Sequence, residues 1–251
     1  METAISSIFT PGQVASISHA PIPRHIAVIP DGNRRWAKAQ NASCLKGHEA
    51  GANNLIEIIK AAKDLGVKVV TFYLFSTENW SRPQEEINAL MWLLERFLKD
   101  KCPEMIANET RLKTIGNTGT LPANVQKTIE ETIQATSHCR MIDLVLAINY
   151  GGRDDLTRAF KRIHEDCING KLRKEEVTEK LIAGYLDTNS WGDPELLIRT
   201  SGEMRISNFL LWQLSYAEIY ITNLLWPEFS PNDLLDAIKE FQKRERRLGG
   251  T

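Results

Sequence analysis

Short runs of apolar and β-branched residues alternate along the chain with longer segments in which apolar residues recur at helical spacing. The short runs have the length and composition of buried strands, and they lie at residues 25–29, 67–74, 112–115, 141–148, 196–198 and about 219–222. The longer segments predict amphipathic helices over residues 55–65, 87–98, about 125–137, 156–167 and about 232–247. This alternation favours an α/β fold, a mostly parallel sheet with helices on both faces.

The first 22 residues differ from the rest of the chain. No Asp, Glu, Lys or Arg occurs from Thr3 to Pro23, but Glu2 replaces the basic start of a signal peptide, and Pro11 and Gly12 interrupt the apolar run. We therefore expect a loosely ordered lead over residues 1–22 and a single domain over 23–251. No stretch approaches the roughly 20 apolar residues of a membrane span, so we expect a soluble protein that is at most peripheral to a membrane.

Composition narrows the choice of function without selecting one. The 251 residues are 42% hydrophobic and 25% charged, which is ordinary for one compact domain and excludes disordered, collagenous and disulfide-scaffold proteins. The 31 basic and 32 acidic residues give a net charge of −1, so the chain has no bulk attraction to nucleic acid. The four cysteines lie far apart, which disfavours a zinc ribbon or a redox pair and fits reduced thiols in the cytoplasm.

The first predicted strand ends in a cluster of polar and charged residues. The sequence Pro-Asp-Gly-Asn-Arg-Arg-Trp at 30–36 places a carboxylate, two guanidinium groups and a glycine where ligands bind in parallel α/β sheets. Arginine and backbone N–H groups can hold phosphate, and Asp31 can hold a bridging cation. The alternative is a simple turn with solvated arginines. The segment matches neither the P-loop nor the G-x-G-x-x-G fingerprint.

His48 follows in the segment Lys-Gly-His-Glu-Ala-Gly at 46–51. A histidine in the first turn of a helix can donate to an anion, or it can simply be exposed. Ala52 stands where a zinc protease would carry its second histidine, which excludes that class on its own motif.

Two further strand ends and one later acid carry candidate chemistry. Residues 76–83 combine Ser, Thr, Glu, Asn, Trp and Arg, and residues 199–208 place two arginines and two serines around a glycine. Helix capping alone could explain the first cluster, and a solvated basic loop could explain the second. Glu218 lies inside an apolar run, so if buried it needs a partner, and a metal shared with Asp31 would supply one.

These clusters together suggest a cleft for two diphosphate substrates. Apolar residues lie beside them on the second strand and on the helix that follows: Tyr73, Leu74, Phe75, Ile87, Leu90, Met91 and Leu94. They are either ordinary core residues or, if the helix stands off the sheet, the lining of an apolar tunnel.

With these residues in view, the sequence resembles the cis-prenyltransferase family, and within it the undecaprenyl diphosphate synthases. The resemblance covers about residues 24–250. The matching segments are HIAVIPDGNRRWA at 25–37, KGHEAG at 46–51, FSTENWSRP at 75–83, NYGGRDD at 149–155, DPELLIRTSGEMRISNFLLWQ at 193–213, AEIY at 217–220, LWPEF at 225–229 and RERRLGG at 244–250.

The resemblance implies a fold and an activity. The fold is a homodimeric α/β domain with a six-strand, mostly parallel sheet, flanking helices and an apolar tunnel. The activity is sequential cis-condensation of isopentenyl diphosphate onto an allylic diphosphate, normally farnesyl diphosphate, with Mg2+ as the cofactor. An undecaprenyl diphosphate product would be the precursor of a lipid carrier for cell-wall synthesis, made in the cytoplasm with possible peripheral contact to the inner membrane during product release.

The resemblance also implies roles for individual residues. Asp31 would act at the metal and the allylic diphosphate, Asn79 would be the proton acceptor, and Glu218 would be the second metal-associated carboxylate. The substrate-binding residues would be Gly32, Asn33, Arg34, Arg35, Trp36 and His48 for the allylic substrate, Ser76, Thr77, Glu78, Trp80 and Arg82 for orienting the homoallylic substrate, and Arg199, Arg205, Ile206 and Ser207 around the isopentenyl diphosphate.

The sequence departs from the family pattern at three positions near these motifs. Pro30 replaces a methionine, Cys44 stands where an arginine usually contacts the allylic diphosphate, and Met204 occupies a position that is sometimes histidine. Leu74 stands where long-chain members often have alanine, which leaves open a synthase with a shorter product. The sequence also leaves open a non-catalytic partner subunit and a simple diphosphate-binding protein or phosphatase.

Overall fold

The computed structural model describes residues 8–17 and 19–244. They contain one six-stranded sheet in the order β3-β4-β2-β1-β5-β6, and all neighbouring strands are parallel. The predicted α/β class and six-strand parallel sheet are therefore confirmed. The strands are β1 (His25–Ile29), β2 (Val69–Ser76), β3 (Thr110–Ile115), β4 (Ile142–Tyr150), β5 (Leu196–Arg199) and β6 (Glu218–Ile221).

Helices cover both faces of this sheet. They are α1 (Pro11–Ala15), α2 (Asn33–Ala39), α3 (Cys44–Asp64), α4 (Gln84–Ala107), α5 (Ala123–Ala135), α6 (Gly152–Ile168), α7 (Glu179–Tyr185) and α8 (Pro231–Gln242), with 3-10 turns at Thr77–Ser81, Thr118–Thr120, Lys174–Glu176 and Trp226–Glu228. None of the helices in this part of the chain combines the length and apolar character needed to cross a bilayer.

Helix α3 begins at Cys44, close to the helix start expected at residues 46–51 and well before its apolar periodicity begins, because a cap sets the start. The Ser43 side chain accepts a hydrogen bond from the backbone N–H of Lys46, which satisfies one of the donors left open in the first turn. Gly47 and Gly51 in the first two turns interrupt the apolar periodicity, so the pattern is visible only from Leu55.

The apolar residues form one main core and a smaller one. The main core includes Ile26, Phe72, Leu146 and Trp226, and the smaller core includes Ala27 and Phe209. Successive residues of β1 alternate between the two cores, because successive strand side chains point to opposite faces. Strands β1 and β4 are buried along their full length, so the sheet centre is a rigid base for the loops that follow each strand.

The described part of the N-terminal lead packs more closely than its composition led us to expect. Phe9 and Ile17 belong to the main core, and the Gln13 side chain donates to the side chain of Asn232 at 2.9 Å. At the other end, α8 stops at Gln242, and residues 245–251, which include the Arg-Leu-Gly motif, lie outside the described residues.

One side chain on α3 fixes the segment that follows β6. The Asn54 amide donates to the carbonyl oxygens of Trp226 at 2.7 Å and Phe229 at 2.8 Å. These two carbonyls flank the 3-10 turn at Trp226–Glu228, and Trp226 is 1% exposed. Asn54 therefore ties the turn that carries a core tryptophan to the buried face of α3.

We expect Asn54→Ala to lower the free energy of unfolding by about 1–3 kcal/mol, because it removes a donor from two part-buried carbonyls, of which that of Trp226 still accepts the Phe229 N–H. The neighbouring Asn53 is exposed on the same helix, so Asn53→Ala should stay within about 0.5 kcal/mol of wild type. Urea unfolding followed by circular dichroism measures both. Equal midpoints for the two variants would contradict the anchoring role.

Candidate active site

A cavity of about 780 Å³ lies at the carboxyl ends of β1, β2 and β5. This is the edge of a parallel sheet where ligands usually bind. The predicted site residues that line the cavity are Asp31, Gly32, Asn33, Arg34, Arg35, His48, Ser76, Glu78, Asn79, Arg82, Arg199 and Ser207. The fold thus brings residues from four separate sequence motifs to one opening.

The peptide of Asp31 is held on two sides. Its carbonyl oxygen accepts hydrogen bonds from the Thr200 hydroxyl at 2.6 Å and from the Trp226 N–H at 3.0 Å. Gly32 follows with a φ of 109°, and a Cβ there would lie 2.9 Å from a methyl carbon of Leu225. Only glycine combines this backbone conformation with this close approach, so the turn fixes where the Asp31 carboxylate enters the cavity.

Arg199 ends β5 beside that carboxylate and is 4% exposed. Its guanidinium donates to Asp31 Oδ2 at 3.0 Å, to Ser207 Oγ at 2.9 Å and to the carbonyl oxygen of Arg205. The loop it contacts holds Ser201, Ser207, Asn208 and Leu210 at positive φ. Side chains avoid this conformation unless their surroundings impose it, and here the buried guanidinium is one of the groups that hold the loop.

Further charges stand at the mouth of the cavity. The side chains of Arg34 and Arg35 are 64% and 50% exposed, so these arginines are solvated and line the cavity at the same time. Arg35 lies 3.7 Å from Asp31 Oδ1 and 3.4 Å from Glu203 Oε1. Arg205 is also exposed and pairs with Glu203 at 2.5 Å.

Helices α2 and α3 pack closely at Asn33. A Cβ at Gly47 would lie 2.2 Å from the Asn33 carbonyl oxygen, and one at Gly51 would lie 2.2 Å from Asn33 Oδ1. The Asn33 amide donates to the carbonyl oxygen of Pro30 at 3.2 Å. The two glycines of the Lys-Gly-His-Glu-Ala-Gly motif therefore leave room for Asn33.

The imidazole of His48 is largely withdrawn from water at the wall of this cavity. Burial, reinforced by the nearby positive charge of Arg82, lowers the pKa of His48 to about 4. The ring is therefore neutral at pH 7. Of the two options left open by the sequence, a simply exposed histidine is wrong, and any hydrogen bond from this ring to an anion comes from a neutral N–H group.

Three buried side-chain atoms in the described part of the chain have no hydrogen-bond partner: Asn33 Oδ1, His48 Nε2 and Arg199 Nε. All three belong to residues that line the cavity. Buried polar groups are almost always paired in folded proteins, and an unpaired one costs roughly 1–3 kcal/mol. Their concentration at one cavity points to a polar ligand as the missing partner.

The end of β2 supplies the opposite wall. Asn79 Oδ1 accepts a hydrogen bond from the backbone N–H of Ser76 at 3.1 Å, so the amide oxygen is engaged. Glu78 accepts from the Asn208 side chain at 2.8 Å. Burial would raise the pKa of Glu78, but hydrogen bonds led by this one outweigh it and lower the pKa. Glu78 is therefore an anion at neutral pH.

Several residues assigned by resemblance lie outside the cavity lining: Trp36, Thr77, Trp80, Arg205 and Ile206. The Trp80 indole donates to Asn149 Oδ1 at 2.7 Å and packs edge-on against Phe75, with ring centroids 5.2 Å apart. Ile206 packs against the smaller core. In this structure these two residues support the loops around the cavity.

Within one chain Glu218 does not lie beside Asp31, so its role in a shared metal site stays a prediction. Glu218 begins β6 and pairs with Leu196, which itself pairs with Ile26. Asp31 lies five residues beyond Ile26, so at about 3.3 Å per strand residue the two acids are more than about 10 Å apart. The Arg244 guanidinium donates to Glu218 at 2.9 Å, and this ion pair supplies the partner that the sequence assigned to a metal.

Asp31 fits Mg2+ only in combination with a substrate. Among the described residues, the one group of three potential ligands within 4.8 Å of one another is Cys44, His48 and Glu86, and it excludes Asp31. Mg2+ commonly takes one or two carboxylates and completes its shell with water and substrate phosphates. A single carboxylate at the mouth, beside arginines that can hold those phosphates, suits this mode.

The same cavity also has an apolar wall. Its lining comes from α3, β2 and α4: Ala52, Leu55, Leu74, Leu90, Met91, Leu93, Leu94 and Phe97. Leu74 and Leu90 are only partly buried and pack against the main core. Some of the residues that could be either core or tunnel lining thus form an apolar wall of the cavity that also carries the charged residues.

The sequence patterns did not reveal Asn208 and Trp226 as lining residues, or Glu203 beside the mouth. Asn208 and Glu203 stand within the quoted motif at 193–213, but nothing in the sequence shows that they face Glu78 and Arg35. Trp226 is a core residue whose edge reaches the cavity.

Comparison with known proteins agrees with this geometry. A family model described as "Putative undecaprenyl diphosphate synthase" matches residues 29–249. The isoprenyl transferase of Chlamydia abortus is 49% identical over 239 residues, which cover 94% of this chain and 96% of that protein.

Two solved structures share the fold. A lavandulyl diphosphate synthase from Lavandula x intermedia, in complex with dimethylallyl diphosphate, has a TM-score of 0.87 at 36% identity and covers 90% of this chain and 97% of its own. A "probable undecaprenyl diphosphate synthase" from Campylobacter jejuni has a TM-score of 0.77 at 34% identity and covers 91% and 99%. The chain therefore belongs to the undecaprenyl diphosphate synthase family and is a cis-prenyltransferase.

Proposed function

We propose that this prenyltransferase condenses isopentenyl diphosphate repeatedly onto farnesyl diphosphate, with cis geometry, to give undecaprenyl diphosphate. The observation that carries the proposal is one cavity that combines arginines at its mouth, buried polar atoms without a partner among the described residues, and an apolar wall. A diphosphate matches the mouth, and a growing hydrocarbon chain matches the wall. A simple phosphatase would have no use for the apolar wall.

The proposed reaction breaks one bond and forms another. The allylic C–O bond breaks and the diphosphate leaves with the electron pair, while the double bond of isopentenyl diphosphate attacks the allylic carbon and then loses a proton. Arg34 and Arg35 would bind the departing diphosphate, and Asp31 would hold Mg2+ against it. When bound, Mg2+ supplies further charge neutralisation on the diphosphate oxygens. Two fixed substrate sites would provide proximity and orientation.

Asn79 is better suited to position a substrate than to store the released proton. A carboxamide oxygen has almost no basicity at neutral pH, and here it already accepts the Ser76 N–H. The amide NH2 group is a donor. We therefore assign Asn79 the orientation of the isopentenyl diphosphate, and we expect diphosphate or water to take the proton.

Two further features of the family are part of the proposal. One is a homodimer. Strand β6 lies at the edge of the sheet, and its residue Ile219 is 46% exposed. These two observations support a second copy of the chain packed against this edge. The other is a cytoplasmic location, with peripheral contact to the inner membrane as the lipid product leaves. The product would then serve as the precursor of the lipid carrier for cell-wall synthesis.

The second candidate is a synthase with a shorter product, and Leu74 is the observation that favours it. Leu74 lines the cavity, and its branched side chain occupies space that alanine would leave open. Met91 on α4 also lines the cavity and is flexible enough to yield, which is why we favour the long product.

The direct test is incubation of the purified protein with labelled isopentenyl diphosphate, farnesyl diphosphate and Mg2+, followed by sizing of the products. A ladder that ends near undecaprenyl diphosphate supports the proposal. Products that end several units earlier support the shorter-chain synthase. No condensation, with or without a candidate partner subunit, would overturn both.

We expect Asp31→Asn to lower turnover about 100-fold or more, because it removes the charge that holds the metal against the diphosphate. Asparagine retains an oxygen that can accept from Arg199, so the fold should persist in circular dichroism. Asp100→Asn is the matched control, since Asp100 is exposed on α4. Wild-type turnover at low Mg2+ by Asp31→Asn would contradict the assignment.

Arg205→Ala should mainly raise the KM for isopentenyl diphosphate, by about 10- to 100-fold, because a charge-assisted phosphate contact contributes roughly 1.5–3 kcal/mol. The KM for farnesyl diphosphate should change little. Arg173→Ala, at an exposed position, controls for loss of surface charge. If only the KM for farnesyl diphosphate rose, the two diphosphate sites would be exchanged.

Substitution of Leu74 should shift product length in opposite directions. Leu74→Ala should lengthen the product distribution by removing bulk from the cavity wall, and Leu74→Trp should shorten it. Val70→Ala is the control on the same strand, because Val70 is buried in the main core and its loss should lower stability without moving the distribution. Identical products from wild type and both Leu74 variants would place the length-setting position elsewhere.

A further inference from the structure

Three side chains of different chemistry converge beside the mouth of the cavity. A ligand atom from each of Cys44, His48 and Glu86 lies within 4.8 Å of the other two. Cys44 and His48 are one helical turn apart at the start of α3, and Glu86 lies in the first turn of α4. The group therefore links the two helices that flank the cavity.

The ligand set selects for a particular class of metal. Thiolate and imidazole favour Zn2+ and similar thiophilic cations, whereas Mg2+ prefers oxygen. Zn–S and Zn–N bonds of about 2.3 and 2.0 Å place tetrahedral ligand atoms roughly 3.4–3.7 Å apart. Side-chain movements of about 1 Å would close the present triangle to that size.

An independent observation concerns the imidazole. His48 Nε2 is buried and has no hydrogen-bond partner within residues 8–17 and 19–244. A cation bound at Nε2 would give this nitrogen the partner that the described residues do not provide.

The Glu86 carboxylate makes ionic contacts with two arginines. Glu86 Oε1 lies 3.2 Å from Arg82 and 3.9 Å from Arg34. Both contacts are to the same oxygen, and the side chain is 20% exposed. A cation can therefore share the Glu86 carboxylate with the arginines, since an ionised carboxylate has two oxygens and about four acceptor positions.

We propose that Cys44, His48 and Glu86 form a three-ligand site for Zn2+ or a related thiophilic cation, with its fourth position open. The site is distinct from the Asp31 position assigned to Mg2+, and it shares His48 with the wall of the cavity. It does not depend on the proposed condensation reaction, since it rests on the ligand set and its geometry alone.

The test uses metal-free full-length protein titrated with Co2+, whose absorption reports thiolate ligation and coordination geometry directly. We expect one equivalent to produce a thiolate-to-cobalt charge-transfer band with tetrahedral d–d bands, and Zn2+ to abolish both by displacement. Cys44→Ser should remove the charge-transfer band, and Glu86→Gln should weaken Co2+ binding at least tenfold. Cys102→Ser and Cys167→Ser are matched controls and should retain the spectrum.

Two outcomes would overturn the proposal. One is the absence of a charge-transfer band in wild type at a tenfold excess of Co2+. The other is a band that persists in Cys44→Ser and disappears in a control variant. Because the readout is a spectrum and not product formation, failure of the proposed condensation reaction would leave this result unaffected.

Discussion

The buried guanidinium of Arg199 is the constraint around which the rest of the site is arranged. A positive charge that is 4% exposed is unfavourable unless it is paired and hydrogen-bonded. Asp31 provides the countercharge at 3.0 Å, and Ser207 and the Arg205 carbonyl accept further bonds. The loop after β1 and the loop after β5 must therefore adopt mutually compatible conformations, and this requirement sets where the cavity opens.

The sheet was predictable from the sequence because each strand carries its own local signal. The apolar run at 67–74 and the run at 141–148 were each within two residues of β2 and β4. Helices that carry both apolar and polar faces were harder to locate from the sequence. Gly47 and Gly51 leave the first turns of α3 without apolar periodicity, since they allow close packing against Asn33 and bury no side chain of their own. The short helices α2 and α7 carry too few apolar positions for a periodic signal.

The site was predictable wherever motifs follow strands, since parallel strand ends converge at one edge. Asp31, Asn79 and Arg199 accordingly lie around one cavity, as expected. Glu218 does not lie beside Asp31 within one chain, because this acid begins its strand while Asp31 follows one, and its role at a metal stays a prediction. The register of β6 against β5 determines where Glu218 lies relative to Asp31. This register depends on tertiary pairing of the strands. The Cys44, His48 and Glu86 group was equally hidden, because it joins two helices.

The residues that stabilise the fold and the residues suited to bind a ligand lie in different parts of this protein. The two cores are apolar and closely packed, whereas the unpaired buried atoms of Asn33, His48 and Arg199 lie at the cavity. Each such atom costs roughly 1–3 kcal/mol in the free protein, a cost that a ligand able to pair with it would offset. A ligand that paired with any of these atoms, whether substrate or cation, would therefore stabilise the folded protein as it binds. The polar atoms left unpaired by folding thus define which ligand chemistry the cavity favours.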